Sequence, residues 1–191
     1  MQEDTQQPGT QRMLQIISDN VQRLDQIIKD VLELNRRDRT NQEQLNINHF
    51  VQEFYQQFGA VEKIDLAHFT LDLPAKESTI VFDRRHINQI LWNLCKNGWR
   101  HSQQHAKSLQ LKVLGDKSGQ FIHITIKDDG SGIDPKIQPH LFEPFMTTEK
   151  TGTGLGLFIA RELAEANGAK LNYISSANGT QFSLTVKKAI V

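Results

Sequence analysis

Three groups of residues have types and spacings that could do chemistry: an aspartate ending an apolar run, a glycine-rich turn, and two asparagines one helical turn apart. Asp128 closes the run Ile122-His-Ile-Thr-Ile-Lys127 and opens Asp128-Asp-Gly130-Ser-Gly132-Ile133. A carboxylate placed there is costly unless it accepts a hydrogen bond, and the exocyclic amine of adenine is a suitable donor. Gly130 and Gly132 leave room for a flat ring against Ile133. A plain Asp-Gly turn after a strand accounts for the same residues. The second group, Gly152-Thr153-Gly154-Leu155-Gly156-Leu157, stands where a helix begins. Alternate glycines let N–H groups approach an anion, and the helix dipole adds roughly half a positive charge. Simple loop flexibility also explains glycines. A dinucleotide fingerprint fails because Leu157 stands where its third glycine belongs, and no Gly-Lys-Ser/Thr supports a P-loop. In the third group Asn93 and Asn97 lie one turn apart, with Arg100 and His101 a turn further on. A hard cation such as Mg²⁺ accepts an amide oxygen beside waters and phosphate oxygens, whereas a structural role needs only hydrogen-bond partners for the amides. Arg100 reads equally as a solvated charge.

Hydrophobic periodicity supplies the elements that must position these groups. Leu14, Ile17, Val21, Leu24, Ile28 and Val31 recur in steps of three and four, which predicts a long helix over about 11–39 with a heptad seam. Its partner is either the chain's own domain or, with Ile16, Ile27 and Leu32 widening the stripe, an intermolecular bundle. Residues 1–10, with Pro8-Gly9, read as a disordered leader or truncated loop. The polar stretch around residue 40 is expected to be a hinge. Val51, Phe54, Tyr55 and Phe58 predict a helix over about 48–60, stopped by Gly59. Alternation at Phe69/Leu71/Leu73, Leu109/Leu111/Val113, Ile122/Ile124/Ile126, Leu171/Tyr173 and Phe182/Leu184/Val186 predicts strands buried on one face. Two more helices are expected, over Asp83 to His101 and Gly154 to about Asn167. The implied fold class is α+β: a two-layer sandwich, helices on one face of a mixed sheet of roughly five strands, preceded by one long helix.

Lys plus Arg and Asp plus Glu are each 22, so a net charge of zero argues against a nucleic-acid binder. The single cysteine, Cys95, cannot form an internal disulfide, and no Cys/His spacing fits a zinc site. No stretch approaches the roughly 20 apolar residues of a membrane span, so no part is expected to insert in a bilayer. Trp92 and Trp99 are either core or a partner surface.

Taken together, the motifs resemble those of the catalytic, ATP-binding domain of bacterial sensor histidine kinases, of the GHKL superfamily. The N box matches Asn93-Leu-Cys-Lys-Asn97-Gly-Trp-Arg100-His-Ser102 and the G1 box Asp128-Asp-Gly-Ser-Gly-Ile133. The F box matches Leu141-Phe-Glu-Pro-Phe145 and the G2 box Gly152-Thr-Gly-Leu-Gly-Leu157. By this resemblance the cofactors are ATP and Mg²⁺ and the sandwich is the Bergerat fold. Asn97 holds the metal, Asn93 supports metal and phosphates, and Arg100 takes the place of a phosphate-contacting lysine, with His101 beside it. Asp128 accepts from the adenine amine, helped by Thr180, while Ile133 and Leu157 line the ring. Gly152, Thr153, Gly154, Leu155 and Gly156 form the phosphate turn, 134–151 the lid, and Phe142 and Phe145 its apolar pegs.

The resemblance divides the chain into the second helix of a dimerisation hairpin over 11–40 and a catalytic domain over 41–191. None of the seven histidines is followed by an acid, so the phosphoacceptor box is expected on a helix outside this chain. The other implied partners are a response regulator and a second copy of the kinase, on the cytoplasmic side of the inner membrane. Arg23 to Asp38 and Ala160 to Leu171 are most similar to kinases controlling type IV pilus expression. A superfamily clamp that hydrolyses ATP uses a Glu general base where Asn93 stands here, which favours transfer over hydrolysis. A scaffold module with a decayed site is the rival from another class.

Overall fold

Alternation carries Ile122, Ile124 and Ile126 to one face of their strand, and the same period of two brings Asp128 to that face as well. The fold is therefore built so that an acid ends a row of core residues. The computed structural model describes residues 8–36, 40–149, 152–176 and 178–189. Along the chain run α1 (Pro8–Arg36), β1 (Gln42–Asn46), α2 (Ile47–Glu62), β2 (Phe69–Asp72), β3 (Thr79–Asp83) and α3 (Arg84–His101). They are followed by β4 (Leu109–Gly115), β5 (Phe121–Asp128), a 3₁₀ turn (Gln138–His140), α4 (Gly156–Ala166), β6 (Lys170–Ser175) and β7 (Thr180–Lys187).

Five strands form one sheet in the order β2-β4-β5-β7-β6, parallel at β2/β4 and antiparallel elsewhere. Register places Leu71, Leu111, Ile126, Phe182 and Tyr173 in one cross-strand row, and Val113, Ile124, Leu184 and Leu171 in the next. These rows meet α2, α3 and α4, whose Phe54, Phe58, Ile87, Ile90, Leu94, Ile159 and Leu163 are buried in the same core. Each fully buried side chain of this size contributes roughly 1.5–3 kcal/mol. The architecture is the mixed two-layer α+β sandwich expected from periodicity. Trp92 sets its edge against Phe58, ring centroids 5.0 Å apart, so it belongs to the core. Half-buried Trp99 stacks on His68.

Several expectations are corrected. α1 begins at Pro8 rather than at residue 11, since proline's fixed φ suits a first helical turn whose N–H groups need no intrahelical partner. Residues 1–7 of the expected leader and 37–39 of the expected helix lie outside the described residues. α2 does not stop at Gly59 but runs to Glu62 and turns at Lys63, φ 54°. A buried glycine weakens a helix by only about 1 kcal/mol, too little to end one that is packed. The polar stretch expected to be a hinge becomes β1 from Gln42, paired antiparallel with β3. No helix among the described residues is long and apolar enough to cross a membrane. On α1, Ile27 packs against the core, while Leu14, Ile17, Val21, Leu24, Ile28 and Val31 are exposed.

α3 is aimed by its cap. Asp83 accepts from Arg85 N–H at 2.8 Å and His86 N–H at 3.3 Å, and its second oxygen accepts from Asn41 N–H at 2.8 Å. Burial alone would push this carboxyl up, but the three backbone donors outweigh it and hold it below the usual range. Asn167, at the end of α4, ties this cap to α4. Its Oδ1 accepts from Asp83 N–H at 2.9 Å and its Nδ2 donates to Leu163 O at 2.8 Å, with His86 Nδ1 at 3.0 Å. Asn167→Ala strands buried partners on both sides and is expected to cost about 1–3 kcal/mol, read as a lower urea midpoint. An unchanged midpoint would show the network to be slack.

Candidate functional site

Between α3, the 128–157 loop and the start of α4 lies a cavity of about 530 Å³, within the roughly 300–1,000 Å³ of small-molecule sites. Asp128 forms one end. Only 4% exposed, it accepts through Oδ1 from Gly130 N–H at 2.9 Å and Thr180 N–H at 3.0 Å. Both donors converge on one oxygen, which leaves Oδ2 for a donor in the cavity. Burial raises this carboxyl above its ordinary value, against the two backbone N–H groups, which lower it. An amine hydrogen-bonded there would offset the desolvation. Thr180, which donates its N–H to Asp128, lines the same cavity, as do Gly132, Ile133 and Leu157. Gly179 makes the approach possible: at φ 89°, a Cβ on it would lie 1.9 Å from the Asp128 carbonyl oxygen.

The opposite end is built on the α4 N-terminus, whose first turn carries no acid. Gly152, Thr153, Gly154 and Gly156 line the cavity there. Gly154 has φ 69°, and a Cβ on it would sit 2.4 Å from the Phe145 carbonyl carbon, so the glycine lets the lid backbone press against the turn. Asn93 Nδ2 donates to Gly156 O at 3.0 Å, clamping α3 to α4. Asn97, one turn on, is half-buried and lines the cavity, and its amide makes no hydrogen bond among the described residues. An amide oxygen so placed, beside a nest for phosphates, fits a hard cation that keeps oxygen ligands. Arg100 and His101 also line the cavity; His101 Nδ1 lies 4.0 Å from Glu149, and its carbonyl oxygen lies against Gly130, beside Asp128.

Some predicted residues stand elsewhere. Gly130 does not line the cavity but holds Asp128 from behind. Leu155 is 2% exposed in the core, and its N–H donates to Thr153 Oγ1 at 3.3 Å rather than facing an anion, because that hydroxyl caps the turn. Phe142 packs edge-on against Phe182 with Arg161 over its ring. Phe145 is no peg: it is 67% exposed on left-handed backbone, φ 66°, which turns its ring outward. Sequence reasoning missed Gln26 and Asp30 of α1, which also line the cavity. Charged and polar neighbours at Asp25, Lys29 and Glu33 give Asp30 no local signal of its own. Cys95, between the two asparagines, is fully buried, and burial pushes its thiol up.

The model of the histidine kinase-, DNA gyrase B- and HSP90-like ATPase family matches residues 82–190. The chain belongs to that family. Among its relatives this chain is similar to the sensor protein kinase PilS of Pseudomonas aeruginosa, 35% identical over 170 residues, 88% of this chain and 32% of the relative. The chain spans about a third of the length of the curated relatives it matches. Among solved structures, the Acinetobacter baumannii histidine kinase AdeS gives a TM-score of 0.69 at 23% identity, covering 100% of this chain and 88% of that one. Full-length ShkA in complex with AMPPNP gives 0.74 at 20%, covering 97% and 40%. At these identities the likeness to solved structures is one of fold, and this chain shares that fold with the two kinases.

Proposed function

We propose that the chain is the catalytic portion of a sensor histidine kinase, binding Mg-ATP and presenting its γ-phosphate to an acceptor histidine on another helix of the kinase. The observation that carries this reading is the convergence on one cavity of a buried acid, a glycine-rich helix start and an amide without a hydrogen bond among the described residues. Asp128 would take the adenine amine, with Ile133 and Leu157 against the ring. The α4 start, with Thr153 and Gly154, would receive phosphates, and Arg100 would add positive charge, with His101 beside it.

Mg²⁺, when bound at Asn97, supplies neutralisation of phosphate charge. Positioning and charge stabilisation are the main needs of phosphoryl transfer, so no further acid or base is required of this chain. Asn93 commits its amide N–H to Gly156 and cannot take a proton from water at neutral pH. Slow hydrolysis and preferred transfer to histidine follow. The exposed heptad seam of α1 supports pairing with the acceptor-bearing helix and a second copy of the kinase. A response regulator would then receive the phosphate on the cytoplasmic side of the inner membrane. The similarity to PilS supports a role in type IV pilus control.

Millimolar Mg-ATP is expected to raise the melting temperature of the folded chain. At a concentration 100 times the dissociation constant the gain is about 2.7 kcal/mol. No shift would favour a scaffold module with a decayed site.

A further inference from the structure

Asp30 places a carboxylate from α1 inside the cavity. It is 6% exposed; Oδ2 accepts from the Thr153 hydroxyl at 2.9 Å and Oδ1 from Gln26 Nε2 at 2.8 Å. Both partners are neutral, so neither cancels a negative charge. Thr153 Oγ1 accepts in turn from Leu155 N–H, which makes α1 part of the hydrogen bonding that shapes the turn before α4. This is the end of the cavity suited to phosphates, and like charges repel more strongly where water is excluded.

The contact is also detachable. Ile27 and Asp30, one turn apart, face the domain, whereas the heptad residues Leu14, Ile17, Val21, Leu24, Ile28 and Val31 are exposed on another side of the helix. A partner gripping that seam can therefore hold α1 without covering the stripe that reaches the cavity.

We propose that Asp30 is an acid latch: α1 docked through Asp30 on Thr153, and a polyphosphate seated at the glycine-rich turn, oppose one another. The inference rests on the nucleotide reading above. Linkage makes the effect reciprocal, so nucleotide loosens α1 and docked α1 weakens nucleotide.

The test titrates the full 191-residue chain and its Asp30→Asn variant with Mg-ATP and with adenosine. Asparagine keeps the size and an oxygen for Thr153 but removes the charge. Mg-ATP is expected to bind about fivefold or more tightly to Asp30→Asn, with adenosine unchanged. Equal or weaker ATP binding overturns the latch, and so does a parallel gain for adenosine, which would mark a general rearrangement. Wild-type protein that binds neither ligand would fail the nucleotide reading itself, and the latch with it. Hydrogen exchange gives a second readout: amides of residues 24–32 should exchange faster when Mg-ATP is added to wild type. Slower exchange there rejects the proposal. If Asp30→Asn releases α1 altogether, exchange reports it and ATP affinity must still rise.

Discussion

Asn97→Ala is expected to lower phosphoryl transfer to an acceptor helix supplied in trans by about 100-fold or more, the order found when one group stabilising transition-state charge is removed. The fold should be untouched. Asn97 is half-buried and makes no hydrogen bond among the described residues, so its loss breaks no internal hydrogen bond. Its neighbours behave differently: truncating Asn93 would release Gly156 O and loosen α3 from α4. Asn97→Ala therefore separates metal handling from architecture. The measurement is transfer rate against Mg²⁺ concentration with the urea midpoint as control. Full transfer at an unchanged Mg²⁺ requirement would reject the metal role.

Asp128→Asn is expected to weaken ATP by about 1.5–3 kcal/mol, a hydrogen bond to a charged group, or roughly 10- to 150-fold in dissociation constant. Stability should move the other way. Because burial raises this carboxyl in the folded state, its favourable contribution is present at low pH and is lost as pH rises through the folded value. Above that value the ionised group is thus a liability that an amide removes, and Asn Oδ1 can still accept from Gly130 and Thr180. Calorimetry should give weaker ATP in a variant at least as stable as wild type at pH 7. Unchanged affinity would sink the adenine assignment, and a large loss of stability would make Asp128 a structural residue.

Legibility in the sequence followed the strength of local patterns. The period of two through Ile122, Ile124 and Ile126 extends to Asp128, so strand, buried face and site residue could be read from one run. Asn93 and Asn97 were equally visible, since helical spacing puts both on the strip beside a buried face. The small sheet was hidden. In Gln42–Asn46 only Leu45 is buried, and in Thr79–Asp83 the outward Val81 masks the alternation of Ile80 and Phe82. Asp30 was hidden for a different reason: it meets Thr153 across 123 residues of chain, and an acid on a long helix reads as solvated. The outward Phe145 was illegible because a left-handed backbone at a phenylalanine has no local signature.

Cys95 lies between the two asparagines, sealed in the core with its thiol held protonated. Thiolates, not thiols, react with alkylating reagents, so the native chain should ignore iodoacetamide except in the moments when α3 lifts from the sheet. The single thiol thus makes the helix its own clock: the rate of labelling counts openings of the segment that presents both amides, and a bound nucleotide should slow that count.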